Sequence, residues 1–446
     1  MSKLTESFSG VRGVYGEDID EEFSKRYAFA FYTLLKNKIG KEPKIVVGMD
    51  TRESGDAIKQ ALISVLTDVV DLDIATTPMI ELGVREYNAD GGIIITASHN
   101  PPEYNGFKFL GSDGAVLRPE MMEELIELRR NVVAEEQEAK IQDKHDEIVE
   151  KYIEFIFKIV GDVEKIKNSG FKIVVDPNGG AAVVVIEELL RRLGVEVVGV
   201  NMEKAEFNRN IDPNNESLSY LVDKIKQEGA DFGIGFDCDA DRAEIMLEDG
   251  EIVSGNHLFG ILLDKMGENN KTVVMNDVVS GSVKEIAKKH GMRVEEVEVG
   301  EINVVDKMEK TGAILGGESS GVVVPPSTCR DGLLVFVMVL KILSEKGKKL
   351  GEVLDELPKY YSIQEKMKTD DALRTREKLK RFFSEKYKIT EKGGETGSLK
   401  IIVDGSFLWF RASKTEAGVF RIISDSNNKE KAEQLLKEGI EAFENA

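Results

Sequence analysis

The sequence predicts an α/β chain of three similar domains with mixed sheets, followed by a smaller α+β domain at the C-terminal end. Three observations carry that prediction. First, a short β-branched phrase recurs at Lys44-Ile-Val-Val, Lys172-Ile-Val-Val, Lys271-Thr-Val-Val and Lys400-Ile-Ile-Val, each followed within a few residues by Asp or Asn and then Gly or Ser. Such runs read as buried strands leaving a sheet through a polar turn. Second, helical patterns follow the first three phrases, at residues 57–69, 181–193 and 282–290. Strand, turn and helix in repetition give α/β units on mostly parallel sheets. Third, the last phrase leads instead into strands at 399–403, 406–411 and 418–424 and a closing helix at 429–443, an α+β pattern.

Breaks in the pattern set the boundaries at 1–150, 151–250, 251–362 and 363–446. The charged stretch 120–158 reads as long solvated helices joining the first two domains. The second ends after a strand at 243–247 and the turn Glu248-Asp249-Gly250, and the third near Pro358-Lys359-Tyr360-Tyr361. A length of 446 residues suits several domains.

Composition narrows the partners. With 60 basic and 81 acidic residues the formal charge is −21, which argues against nucleic acid or an anionic membrane. Clustered arginines can still bind an anionic small molecule. The two cysteines, Cys238 and Cys329, fit a reducing compartment. The N-terminus lacks the apolar core of a signal peptide, and the longest apolar run, 333–340, is far short of a membrane span. A cytoplasmic protein is expected, with monomer and homodimer both open.

The chemistry concentrates at a few turns. Thr96-Ala97-Ser98-His99-Asn100-Pro101 follows the apolar run Gly92-Ile93-Ile94-Ile95, so a strand ends by presenting a serine on a polar turn. Such a serine either caps the next segment or carries a phosphoryl group, and Lys108, just beyond, can bring a positive charge to it. Gly235-Phe236-Asp237-Cys238-Asp239-Ala240-Asp241-Arg242 offers three alternating carboxylates suited to Mg²⁺. An EF-hand reading fails because Arg242 stands where glycine is required. An aspartyl nucleophile of the haloacid-dehalogenase kind is the better rival. Gly316-Gly317-Glu318-Ser319-Ser320-Gly321 presents a carboxylate and hydroxyls that suit a sugar. Arg411-Ala412-Ser413-Lys414-Thr415-Glu416, with Arg421 beyond, reads as a phosphate clamp or as a solvated hairpin turn. Arg12 and Arg52 lie in glycine-flanked turns, where they could anchor a phosphoserine from nearby.

In this order the motifs resemble the α-D-phosphohexomutase family, which includes phosphoglucomutase/phosphomannomutase and phosphoglucosamine mutase. The resemblance runs from Ser9-Gly10-Val11-Arg12-Gly13 to the clamp at Arg411 and implies four domains around a central cleft. It implies that Ser98 is the phosphoserine, and that Asp237, Asp239 and Asp241 with a phosphoserine oxygen hold Mg²⁺. Glu318 and Ser320 would grip sugar hydroxyls. Arg411, Ser413, Thr415 and Arg421 would hold the phosphate that is not reacting. Arg12, Lys108 and His99 would serve proton and phosphate handling, and Arg242 would orient the site.

The implied reaction interconverts hexose 1-phosphate and hexose 6-phosphate of glucose or mannose through a 1,6-bisphosphate, with glucose 1,6-bisphosphate as activator. Phosphoglucosamine mutase is the alternative, and a non-catalytic sugar-phosphate-binding relative a third. The chain departs from the family at Val322, where many bacterial relatives carry His. It departs again at Lys414 and Ala417 in the clamp, and at Cys238 or Ala240, where Gly is usual.

Overall fold

The computed structural model describes residues 4–413 and 418–445, which form two compact units. One comprises the chain up to Gly255 together with Gly321–Lys349. The other comprises Asn256–Ser320 and the chain from Leu350 onward.

The first unit holds two sheets. The seven-stranded sheet runs Thr5–Ser7, Gly10–Val14, Tyr104–Leu110, Gly91–Ile95, Lys44–Met49, Asp68–Ile74, Lys140–Asp143. It is parallel on the Lys44–Met49 side and antiparallel on the Gly10–Val14 side. The five-stranded sheet runs Ile252–Val253, Ala243–Met246, Phe232–Phe236, Lys172–Asp176, Glu196–Gly199. In the second unit, Thr272–Asn276 lies between Arg293–Val297 and Leu315–Glu318, all parallel. An antiparallel sheet follows, in the order Tyr361–Lys368, Val419–Ser426, Ser406–Ala412, Ser398–Val403, Lys388–Lys392. It packs on helices Ala372–Ser384 and Lys429–Glu444. The fold class read from the sequence holds: three α/β sheets and one α+β domain.

Strand alternation aims the polar residues. Phe107 and Phe109 enter the core among Tyr27 and Phe31 on helix Glu21–Ile39. Each buried ring is worth roughly 2–3 kcal/mol. A period of two then sends Lys108 to the opposite face. Arg12 lies directly across from Gly106, so Arg12 and Lys108 share that face. A Cβ on Gly106 would stand 1.9 Å from the Val11 carbonyl oxygen. Gly106→Ala is therefore expected to cost about 3 kcal/mol by forcing these strands apart, which a thermal melt would register.

Several boundaries differ from the sequence reading. The helix expected at 57–69 is Gly55–Ile63, because Asp68–Ile74 forms a strand beside Lys44–Met49. The helix expected at 181–193 is a 3₁₀ turn, Ala181–Val184, followed by Ile186–Arg192. The charged stretch contains helices Pro119–Asn131 and His145–Val160 separated by the strand Lys140–Asp143. It is not wholly solvated: Ile148, Tyr152, Ile153, Ile156 and Val160 are buried. Among the described residues no helix is long and apolar enough to cross a membrane.

Candidate active site

The singled-out loops of the first unit leave the carboxyl ends of strands, where α/β sheets present their ligand-binding groups. Ile95 ends one buried strand before Thr96, and Phe236 ends another before Asp237. The two loops meet: Ser98 Oγ donates to Asp237 Oδ2 at 3.0 Å. Ser98 is 1% exposed and holds a left-handed backbone, φ 50°. Outside glycine that region costs about 1–2 kcal/mol. His99 Nδ1 lies 3.4 Å from Ser98 Oγ, and Arg12 Nη1 donates to Asn100 Oδ1 at 3.0 Å on the same loop. Burial lowers the Arg12 pKa to about 10.

The three aspartates are buried and converge, with one oxygen of each within 4.8 Å of the others. Lys108 Nζ binds Asp239 Oδ2 at 2.7 Å and Asp241 Oδ2 at 3.0 Å. Thr77 Oγ1 donates to Asp239 Oδ2 at 2.6 Å, and Arg330 Nη2 to Asp241 Oδ2 at 2.8 Å. The Arg242 backbone N–H donates to Asp237 Oδ1, while its Nη1 turns outward to Asp212 Oδ1 at 2.9 Å. Burial and the charges of Asp239 and Asp241 push the Asp237 carboxyl well above its usual pKa. Burial acts the same way on Asp241, but Arg330, Lys108 and Arg242 outweigh it and hold that carboxyl low. Lys108, read as bringing its charge to the serine, pairs with two of the aspartates. Arg52, read as a phosphoserine anchor, gives all its donors to Asp50 and to backbone carbonyls.

In the second unit Glu318 ends the strand Leu315–Glu318, and its Oε1 accepts from Asn276 Nδ2 at 3.0 Å and from the Gly300 N–H at 2.8 Å. Gly316 makes room for Met308, whose Sδ would lie 2.2 Å from a Cβ there, so that glycine serves helix packing. Ser320 is half-buried. Arg411 and Arg421 sit directly across from each other on adjacent strands. Like charges so placed repel, and Glu298 Oε1 offsets this by accepting from Arg411 Nη2 at 2.8 Å. Burial lowers the Arg411 pKa against the pull of Glu298. The Ser413 N–H donates to the Val419 carbonyl at 2.8 Å. Thr415 lies outside the described residues.

Family models for the α/β/α domains I, II and III of phosphoglucomutase/phosphomannomutase match residues 5–138, 150–250 and 254–361. A phosphoglucomutase/phosphomannomutase of Thermococcus kodakarensis is 39% identical, over 100% of this chain and 99% of its own length. The chain belongs to the phosphoglucomutase/phosphomannomutase family. A phosphoglucosamine mutase of Alkaliphilus oremlandii is 34% identical, over 79% of this chain and 81% of its own. A family protein of Burkholderia thailandensis shares the fold at TM-score 0.84 and 23% identity, covering 99% of this chain and 96% of that one. As a phosphohexomutase, the protein is an isomerase of sugar phosphates working by phosphoryl transfer.

The aspartate cluster fits the divalent cation this phosphohexomutase chemistry implies. Asp239 Oδ1 and Asp241 Oδ1 are buried with no hydrogen-bond donor, a costly state that a cation relieves. Three carboxylates, joined by a phosphate oxygen, would suit Mg²⁺. Asp237, Asp239 and Asp241 would hold it. Two further residues of this mutase lay beyond sequence reasoning. Arg330 reaches Asp241 from 89 positions away, and Glu298 reaches Arg411 from 113 away. Arg330 had a weak signal, the helix-capping Asp331-Gly332 beside it.

Proposed function

We propose that the protein interconverts the 1- and 6-phosphates of glucose and mannose, with Ser98 alternately carrying and surrendering the phosphoryl group. The observation that carries this reading is Ser98 Oγ donating at 3.0 Å to a member of the buried aspartate cluster. Mg²⁺, when bound, would offset charge on the transferring phosphoryl group. Phosphoserine brings a charge of about −1.5 to −2, which that cation would balance while Lys108 and Arg330 stay on the aspartates.

The rest belongs to the chain's own groups. In loading, the bond from phosphorus to a bisphosphate oxygen breaks, the bond to Ser98 Oγ forms, and the Ser98 proton passes to the departing sugar oxygen. Asp237 Oδ2, which already accepts that proton in a hydrogen bond, holds Oγ in line. His99, on the same loop, and Arg12, which reaches that loop from the strand Gly10–Val14, would share the charge. Glu318 and Ser320 would read sugar hydroxyls, and Arg411, Ser413, Thr415 and Arg421 would hold the distal phosphate. Positioning supplies most of the rate.

Intact mass and peptide mapping after incubation with glucose 1,6-bisphosphate and Mg²⁺ test the reading. One added phosphate on Ser98 is expected; an unmodified Ser98 in folded, Mg²⁺-bound protein overturns it. The relative at 39% identity supports glucose and mannose phosphates. Phosphoglucosamine mutase is the second reading, favoured by the relative of that name at 34%. Rates on the three 1-phosphates decide, and a dominant glucosamine rate would select the second.

Glu298 bears on the clamp. Its carboxylate competes with a substrate phosphate for Arg411, and a partly buried charge-assisted bond of this kind is worth about 1 kcal/mol. Glu298→Gln is expected to lower KM for hexose phosphate roughly fivefold with kcat little changed, read from steady-state kinetics.

A further inference from the structure

We propose that Asp50, Arg52 and Thr96 form a brace that sets the attack geometry of Ser98 without touching any phosphate. The inference rests on the reading of Ser98 as the group that accepts phosphate. Arg52 and Asp50 have fully buried side chains that pair at 3.1 Å. A guanidinium has five N–H donors, and here every one is committed. Nε donates to Asp50 Oδ2, Nη1 to the carbonyls of Pro101 at 2.5 Å and Tyr104 at 2.9 Å, and Nη2 to those of Ser98 at 2.9 Å and Asn100 at 2.6 Å. Arg52 therefore has nothing left for a ligand.

Its carboxylate partner completes a second arm. Asp50 Oδ2 accepts from Thr96 Oγ1 at 2.6 Å, and Thr96 Oγ1 accepts in turn from the Ser98 N–H at 2.7 Å. Asp50 Oδ1 takes the Arg52 N–H at 3.0 Å, and the Asp50 N–H binds the Ile95 carbonyl at 3.0 Å. Both backbone polar groups of Ser98 are thus tied to one buried ion pair, its N–H through Thr96 and its C=O directly. Ties on both sides hold a serine at φ 50°, a conformation its side chain disfavours. That conformation aims Oγ at Asp237. The same turn touches the aspartate loop, with Thr51 Oγ1 3.9 Å from Cys238 Sγ.

A misplacement of about 1 Å can cost on the order of a hundredfold in rate. The brace acts through Ser98, so Asp50, Arg52 and Thr96 are positioning residues. Three variants of the full chain test them by the rate of phosphate uptake from glucose 1,6-bisphosphate with Mg²⁺, followed by quench and intact mass. Thr96→Val keeps the shape and deletes the relay; Thr96→Ser keeps the hydroxyl. Arg52→Lys replaces a five-donor fork by a point charge that cannot span four carbonyls.

Thr96→Val and Arg52→Lys are expected to slow uptake roughly thirtyfold or more, with half-saturation by the bisphosphate within about threefold of wild type. Thr96→Ser should stay within about threefold. If Arg52→Lys fails to fold, the valine and serine pair decides. Equal rates for Thr96→Val and wild type, or Thr96→Ser as slow as Thr96→Val, would overturn the brace while leaving Ser98 as acceptor. A wild type that takes up no phosphate would overturn the Ser98 reading and the brace with it.

Discussion

Ser98→Ala is expected to leave a folded protein that takes up no phosphate and interconverts hexose phosphates at least about 10⁴-fold more slowly, because the oxygen proposed to bond phosphorus is gone. The loss should appear in kcat, since Arg411, Glu318 and the other groups that would hold the sugar phosphate are untouched. Stability should move little: the substitution deletes the hydrogen bond to Asp237 Oδ2, worth about 1 kcal/mol net, and a longer, weaker one to His99 Nδ1. Ser98→Gly sharpens the test. Glycine adopts φ 50° without the penalty a side chain incurs, so this variant should equal or exceed the wild type in thermal stability while being equally inactive. Activity and stability moving apart at one position is the signature of strain retained for function. A Ser98→Gly protein with appreciable turnover would instead place the acceptor elsewhere.

How much was legible in the sequence depended on whether a residue's partners lie in its own segment. The α/β repeat could be read because Lys44-Ile-Val-Val and its three counterparts each carry strand and turn in one short phrase. The Ser98 turn and the three aspartates stood out for the same reason, while their meeting followed only from the resemblance to the phosphohexomutases. Thr77 and Glu298 were invisible, and Arg330 nearly so, because each is defined by a partner on another element. Arg52 was noticed and given a phosphate-anchoring role. Beyond Asp50, its acceptors are four backbone carbonyls, which leave no mark on a sequence.

One misplaced helix end and one strand with no sequence signal have similarly local causes. Val69 and Val70 continue a helical period set by Val65 and Leu66 as well as they fit a strand, and only pairing with Lys44–Met49 places them in the strand Asp68–Ile74. The strand Tyr361–Lys368 lies at a sheet edge with most of its residues exposed, so it lacks the apolar alternation that marks buried strands.

The second large effect separates the aspartates by what each does for the fold. Chelation should abolish wild-type turnover, and Mg²⁺ should restore it. Asp239→Asn and Asp237→Asn should each fall about 10³-fold or more in kcat and resist rescue by excess Mg²⁺. In metal-free protein the two should nevertheless diverge. Asp239 is the buried partner of Lys108 at 2.7 Å and of Thr77. Removing its charge takes from Lys108 the nearer of its two carboxylates, and breaking a buried pair costs about 3–5 kcal/mol. Asp237 has Arg242 Nε only at 3.9 Å and faces Asp239 and Asp241 within the same cluster; burial and those two charges outweigh the nearby cations, so the amide relieves like-charge repulsion. Metal-free Asp237→Asn should therefore melt at or above the wild type, and metal-free Asp239→Asn clearly below it. Added Mg²⁺ should raise the wild-type melting temperature, by about 2.7 kcal/mol of stability at a hundred times Kd, and should shift neither variant comparably. If Asp237→Asn destabilised the metal-free protein as much as Asp239→Asn, the cluster would be a structural charge network completed by Lys108 and Arg330. The same Mg²⁺ shift in all three proteins would place the cation away from these aspartates.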